Sequence, residues 1–298
     1  MNRSTRGWIN GAIGVAIFSG SLPATRLAVL DLAPLFVTAA RAAVAGLLAL
    51  IALALTRGAR PTRAELSTLT LVALGVVVGF PLCSAIALRT ITSAHSLVFV
   101  GLLPLATAIF GAWLGAERPS RAFWVFAVLG AASVAGFAIS QDASGSLGAD
   151  MLMVVAIVTC GYGYAEGGRL ARRLGGWRVI CWVLILSLPA SLPLAILLRP
   201  ASIAGVGWQA WAGLGYIAVF SMFVGFVFWY RGLAMGSIAG VSQLQLLQPF
   251  IGLLLAAWLL REPVTTTMLA VSAFVLVCVV GAKKYATIPP ATMPDAAR

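Results

Sequence analysis

Long unbroken apolar runs constrain this chain more than any other feature. They recur at about 8–29, 34–55, 69–88, 94–115, 122–140, 147–164, 179–198, 208–229, 238–260 and 266–282. Each is roughly 17 residues or more, enough to carry a helix across a hydrocarbon core ~30 Å thick. In lipid the backbone can bond only to itself, so runs of this length are expected to be helices. A membrane barrel would instead show alternating segments of ~10 residues. Composition agrees: 61% of the chain is hydrophobic and 9% charged, too little polar surface for a soluble domain. Pro23, Pro81, Pro104, Pro189, Pro193 and Pro249 fall inside runs, where neighbouring helices can satisfy the backbone groups a proline frees.

A net charge of +12 raises the question of nucleic acid. The basic residues, however, sit beside the apolar runs and follow a topology rule. With the N-terminus in the cytoplasm, 15 of them lie on the cytoplasmic side. Arg26, Arg89, Arg199 and Arg261 lie on the other side, and Arg41 within a run. Basic residues favour the cytoplasm, so both termini are expected there, with the lipid bilayer as partner and no nucleic acid. Cys83, Cys160, Cys181 and Cys278 lie in apolar runs without a CxxC pair and read as small buried hydrophobes. No cofactor or metal is expected. The tail 287–298 reads as a loose polar end, and the first apolar segment as a span rather than a cleaved signal.

The sequence also repeats. Shifted by 145 residues, Leu88 falls on Leu233, Ala94 on Ala239, Leu102 on Leu247, Pro104 on Pro249 and Glu117 on Glu262. Ala112-Trp113-Leu114 falls on Ala257-Trp258-Leu259, and Gly136 on Gly281. Nearer the N-terminus, Arg26-Leu27-Ala28 meets Arg169-Leu170-Ala171 at a shift of 143. The expected architecture is an all-α membrane protein of ten transmembrane helices in two five-helix repeats, 1–145 and 146–286, followed by the tail 287–298. Five is odd, so the second repeat enters the membrane from the opposite side. Inverted repeats of this kind can open one site alternately to either face.

The stretches "SAHSLVFVGLLPLATAIFGAWLGAERPSRAFWVFAVLGAASVAGFAI" and "SIAGVSQLQLLQPFIGLLLAAWLLREPVTTTMLAVSAFVLVCVVGA" resemble the EamA-type half-repeats of the drug/metabolite transporter superfamily. The shared pattern is a mid-helix proline, a helix-end glutamate and a glycine in the next helix: Pro104, Glu117, Gly136 and Pro249, Glu262, Gly281. Arg26, Pro34 and Arg41 match the start of the pattern, and the second half lacks a clear counterpart of the last two. The resemblance implies ten helices, cytoplasmic termini, a bacterial-type inner membrane and transport of small metabolites. Within the superfamily the chain is most similar to amino-acid exporters, including the aromatic amino-acid exporter.

The candidates for handling cargo are few. Asp31, Glu117, Glu166 and Glu262 all stand at helix ends, and the first span has no carboxylate. That weakens proton/drug exchange and leaves facilitated movement equally open. His95 is the one histidine, a residue type whose unperturbed side chain changes charge near neutral pH. It is either a contact or relay at the outer mouth or a helix-terminus residue. Arg41, about 10 Å into its helix, either meets a substrate carboxylate or is a scaffold residue bonded to carbonyls. A phosphate carrier needs several buried cations, so the single Arg41 argues for neutral or zwitterionic cargo. Gln245 and Gln248 share a helix face while Gln243 points elsewhere; they are cavity wall or interhelical glue. Ser19, Ser84, Thr159, Tyr162 and Tyr164 add neutral polar groups, and Phe80 and Phe99 an aromatic wall; each alone reads as a packing residue, and together they suit a mostly apolar small-molecule site. Trp113 and Trp258 should anchor opposite membrane faces, and Glu166 with Arg169 reads as a surface pair.

The sequence points to a secondary exporter of amino acids, aromatic ones included. Drug export and lipid flipping stay open within the same fold. An intramembrane enzyme is the rival class, but no serine-protease or clustered His/Glu motif is present, nor a phosphate loop. A monomer is one expectation left open.

Overall fold

The computed structural model describes residues 3–56, 60–115, 120–141, 147–203, 205–235 and 241–285. Every regular element among them is helical. In chain order the apolar helices are α1 (Thr5–Asp31), α2 (Pro34–Thr56), α3 (Arg63–Ala87), α4 (Ser93–Leu114), α5 (Trp124–Phe137), α6 (Leu147–Leu174), α7 (Gly176–Leu197), α8 (Trp208–Met235), α9 (Leu244–Leu259) and α10 (Thr266–Gly281). All but α5, α9 and α10 are long and apolar enough to cross a membrane.

Two helices outrun their apolar segments. α3 starts at Arg63 because Thr62 and Glu65 cap it reciprocally. Thr62 N donates to the Glu65 carboxylate at 2.8 Å, and Glu65 N to Thr62 Oγ1 at 3.3 Å, so two otherwise unpaired donors are satisfied. α6 continues to Leu174, well past the expected residue 164. That extension corrects the reading of Glu166 and Arg169 as a surface pair. The two do bond, at 2.6 Å, but Glu166 is buried and only Arg169 reaches outward, because the added turns of α6 lie against other helices, Gly167 beside Tyr230 of α8 and Arg173 beside Glu65 of α3.

The helices pair in matched couples. α1 packs on α8 and α6 on α3; α4 packs on α6 and α1 on α9; α2 meets α7, α4 meets α9 and α5 meets α10. Exchanging the first five helices for the last five reproduces the same set of contacts. Small residues allow the closest of these approaches: Gly75 of α3 lies against the Thr159 carbonyl of α6, and Gly213 of α8 against the Ala24 carbonyl of α1. Trp113 and Trp258 are each 76% exposed, as residues facing lipid would be. Cys160, Cys181 and Cys278 are buried and Cys83 half-buried, all as free thiols.

One end of the bundle is tied together by polar groups. Glu262, between α9 and α10, accepts from Ser93 N at 3.1 Å, Ser93 Oγ at 2.7 Å and Ala94 N at 2.8 Å. It thereby fastens the start of α4, whose last free amide there is taken by Thr92 Oγ1. Arg26 of α1 lies 4.0 Å from the same carboxylate and donates to the Leu88 carbonyl after α3. Asp31 accepts from Gly207 N at 2.8 Å, joining α1 to α8.

Candidate functional site

Both matched prolines break their helices. The first part of α4 ends at Val100, and the helix resumes at Leu103 after a turn. The start of α9 is a 3-10 helix, Ser242–Leu247, and the α-helix proper begins at Gln248. Proline has no N–H to give the carbonyl four residues back, which is why each helix changes at this point. Leu103 and Gln248, which directly precede the prolines, occupy the two breaks.

α3 and α8 carry a second matched irregularity. Residues Leu74–Gly79 of α3 and Tyr216–Gly225 of α8 are π-helical, a widened geometry frequent at functional sites. Each stretch ends in a Gly-Phe step, Gly79-Phe80 and Gly225-Phe226, offset by 146 residues. Both irregular segments border the same space.

That space is a cavity at the centre of the bundle. The first half contributes Phe18 and Ser21 (α1), Arg41 (α2), Val76 and Phe80 (α3) and Leu103 (α4). The second contributes Cys160 and Tyr164 (α6), Ser221 and Phe226 (α8) and Gln248 (α9). Several of these are repeat-matched: Leu103 with Gln248 at a shift of 145, Phe80 with Phe226 at 146, and Ser21 with Tyr164 at 143. Aromatic contacts hold the wall, with Phe18 and Phe226 centroids 5.0 Å apart and Tyr164 and Phe226 5.8 Å apart. The cavity is small, with room for one or two waters. A metabolite therefore enters only if the helices part.

Within the cavity the polar groups are sparsely satisfied. Arg41 is 3% exposed. Its Nη2 donates to Ser221 Oγ at a long 3.4 Å, and Ser221 Oγ lies 2.6 Å from Ser21 Oγ. Arg41 Nε has no hydrogen-bond partner among the described residues, and no carboxylate there forms an ion pair with the guanidinium. A cation at mid-helix costs about 2.5–3.5 kcal/mol on insertion scales, so this is an expensive group to leave unpaired. Gln248 is also buried. Its Nε2 makes a marginal 3.5 Å contact with the Phe18 carbonyl, and its Oε1 has no partner.

The structure thus brings together four of the residues singled out from sequence: Gln248, Tyr164, Phe80 and Arg41. The other described candidates are not among its lining residues. Gln245 is buried with both amide atoms unpaired; Gln248 lies three residues on, beyond the change from 3-10 to α-helix. The Gln243 side chain and Glu117 lie outside the described residues. Ser19, Ser84 and Thr159 bond to carbonyls of their own helices. Tyr162 stacks edge-on with Phe110 at 5.5 Å. Phe18, Ser21, Ser221 and Phe226 were not singled out; the Gly-Phe steps repeated at 79–80 and 225–226 were the available signal for the last.

His95 is held at the tied end of the bundle. Its Nε2 lies 2.8 Å from Asp150 Oδ1 of α6, both side chains are buried, and the ring packs on Phe99 and Phe137. Asp150, in the first turn of α6, did not figure among the sequence candidates. His95→Ala is expected to lower stability by roughly 1–3 kcal/mol, since it removes a partner from a buried carboxylate. Cargo affinity should not change, because His95 is off the cavity wall. Thermal unfolding in detergent and a transport KM separate the two effects.

Comparison with known proteins agrees with this architecture. A profile of the EamA-like transporter family matches residues 5–139 and again 147–282. The "Uncharacterized transporter YdeK" of Bacillus subtilis (strain 168) is 55% identical over 286 residues, covering 96% of this chain and 100% of that protein. A solved structure described as "Crystal structure of protein" has a TM-score of 0.67 at 18% identity, over 95% of this chain and 98% of the other, which shows a shared fold. With two family matches spanning its two halves and a full-length relative, this multi-pass membrane chain belongs to the EamA-like transporter family of the drug/metabolite transporter superfamily.

Proposed function

We propose that the protein is a secondary exporter of small neutral or zwitterionic metabolites, amino acids foremost and aromatic ones included. It works by alternating access in a bacterial inner membrane with both termini cytoplasmic. Ten spanning helices form two inverted repeats, 1–145 and 146–286. The observation that carries this reading is the central cavity, walled by repeat-matched positions at two broken and two π-helical segments. Substrate sites of repeat transporters lie at such an interface, beside discontinuous helices. A single arginine and neutral polar groups suit a zwitterion better than a phosphate ester.

Counterflow in proteoliposomes tests the cargo. Neutral amino acids should exchange, with phosphate esters and cationic drugs inert. Exchange of phosphate esters without amino-acid flux overturns the reading. Single cysteines in the connections holding Glu117 and Glu262 test the inversion. Membrane-impermeant reagent should label the Glu262 connection from outside intact cells and reach the Glu117 connection only after permeabilisation. Labelling of both from one side is incompatible with inverted repeats.

A further inference from the structure

The cavity is chemically lopsided although its positions are matched between the halves. Where the first half places Leu103, the second places Gln248, and α8 adds the Ser221 hydroxyl to the same side. Arg41 joins the polar side through Ser221, which Ser21 in turn contacts. One wall is thus polar, and α3 and α4 offer an apolar one of Val76, Phe80 and Leu103. The polar wall holds two unpaired atoms of opposite character, the donor Arg41 Nε and the acceptor Gln248 Oε1, on side chains 3% and 4% exposed.

Resting on the proposed amino-acid reading, we infer that these are the two poles of a zwitterion site: Arg41 takes the α-carboxylate and the Gln248 carbonyl takes the α-ammonium. The guanidinium is planar and carries five N–H donors, so it can meet a carboxylate through two parallel bonds. Nη2 donates to Ser221 Oγ at a long 3.4 Å, and Ser21 Oγ contacts that hydroxyl in turn; Nε is the free donor, and the second parallel bond comes from Nη2 in place of its long contact with Ser221. Gln248 has an acceptor to offer an ammonium but no charge. The carboxylate is therefore the dominant anchor and the ammonium the weaker one. The side chain of the cargo lies on Val76, Phe80 and Leu103, where an aromatic or branched aliphatic group fills apolar surface. Leu103 has no acceptor at the position matching Gln248, so the cargo is held in one orientation rather than two.

An analogue series on the unmodified protein in proteoliposomes tests the anchors without relying on a variant that folds. L-phenylalanine counterflow is competed by phenylalaninamide, which lacks the carboxylate, and by 3-phenylpropionate, which lacks the ammonium. Expected is at least a tenfold weaker competition by the amide and a smaller, three- to tenfold loss for the deaminated acid. Amide and parent competing equally overturns the carboxylate anchor, whatever the cargo proves to be. Absence of any amino-acid flux, by contrast, defeats the underlying amino-acid reading.

Two variants then assign the poles. Arg41→Gln should abolish the discrimination between acid and amide. Arg41→Lys, a point charge without the fork, should restore part of it. Gln248→Leu, which copies the matched Leu103, should erase the preference for the parent over the deaminated acid and leave the acid-to-amide ratio intact. Each ratio is read within one protein preparation, so a fall in abundance cancels. Arg41→Gln retaining the wild-type ratio makes that arginine a scaffold residue and overturns the assignment.

Discussion

Glu262→Ala is expected to destabilise the protein by about 3 kcal/mol or more. The carboxylate is the acceptor for three donors at the head of α4 and lies beside Arg26. A buried donor left without its acceptor costs about 1–3 kcal/mol. The three donors are neighbours, so their costs do not add fully. The side chain is 9% exposed, so little water stands ready to replace it. Arg26 would keep its bond to the Leu88 carbonyl, and α1 would stay joined to α3 while α4 and the α9–α10 connection came loose. Glu262→Gln retains one carbonyl oxygen and should lose roughly half as much. Thermal unfolding in detergent ranks the three proteins. Equal midpoints for wild type and Glu262→Ala mean the carboxylate is not what fastens α4.

The second large effect is expected from Gly75→Ala. A Cβ built on Gly75 stands 2.5 Å from the carbonyl oxygen of Thr159. That neighbour is backbone, so a rotamer change cannot relieve the clash, and α3 must retreat from α6. Overpacking of this kind typically costs ~1–3 kcal/mol, and more where the obstacle is rigid. The retreat also has a functional consequence. Gly75 is in the π-helical stretch and adjoins Val76 on the cavity wall, so transport should fall further than abundance does. Gly111→Ala is the control, because a Cβ there meets nothing within 4 Å. That substitution should be neutral or stabilise by up to ~1 kcal/mol through helix propensity. Abundance in the membrane and counterflow per molecule distinguish the outcomes; a Gly75→Ala protein as stable and active as the control overturns the argument.

How much of this was legible in the sequence depends on how local the cause is. The helices were, because a run of ~20 apolar residues in lipid has no other way to satisfy its backbone. The matched prolines were visible, but not which prolines would break a helix: α4 and α9 change at Pro104 and Pro249, while α7 runs unbroken through Pro189 and Pro193. Helix ends were less legible. α3 and α6 outrun their apolar segments because a capping box and polar turns continue a helix where hydropathy stops reporting.

The cavity was only partly legible. Gln248 could be placed because it adjoins a proline. Arg41 was visible as a buried cation, yet whether it meets cargo or scaffold depends on Ser221, 180 residues away. The π-helical stretches have no signature in a hydropathy profile, so Ser221 and Phe226 passed unnoticed. His95 stood out as the one histidine, but its partner Asp150 is 55 residues on and belongs to another helix. By itself, then, the sequence determined helical segments and their repeat, consequences of backbone hydrogen bonding within one segment. Which side chains share a cavity, which pair off at the tied end and which polar atoms stay unsatisfied was decided by tertiary packing, because each depends on the azimuth and depth at which separate helices meet.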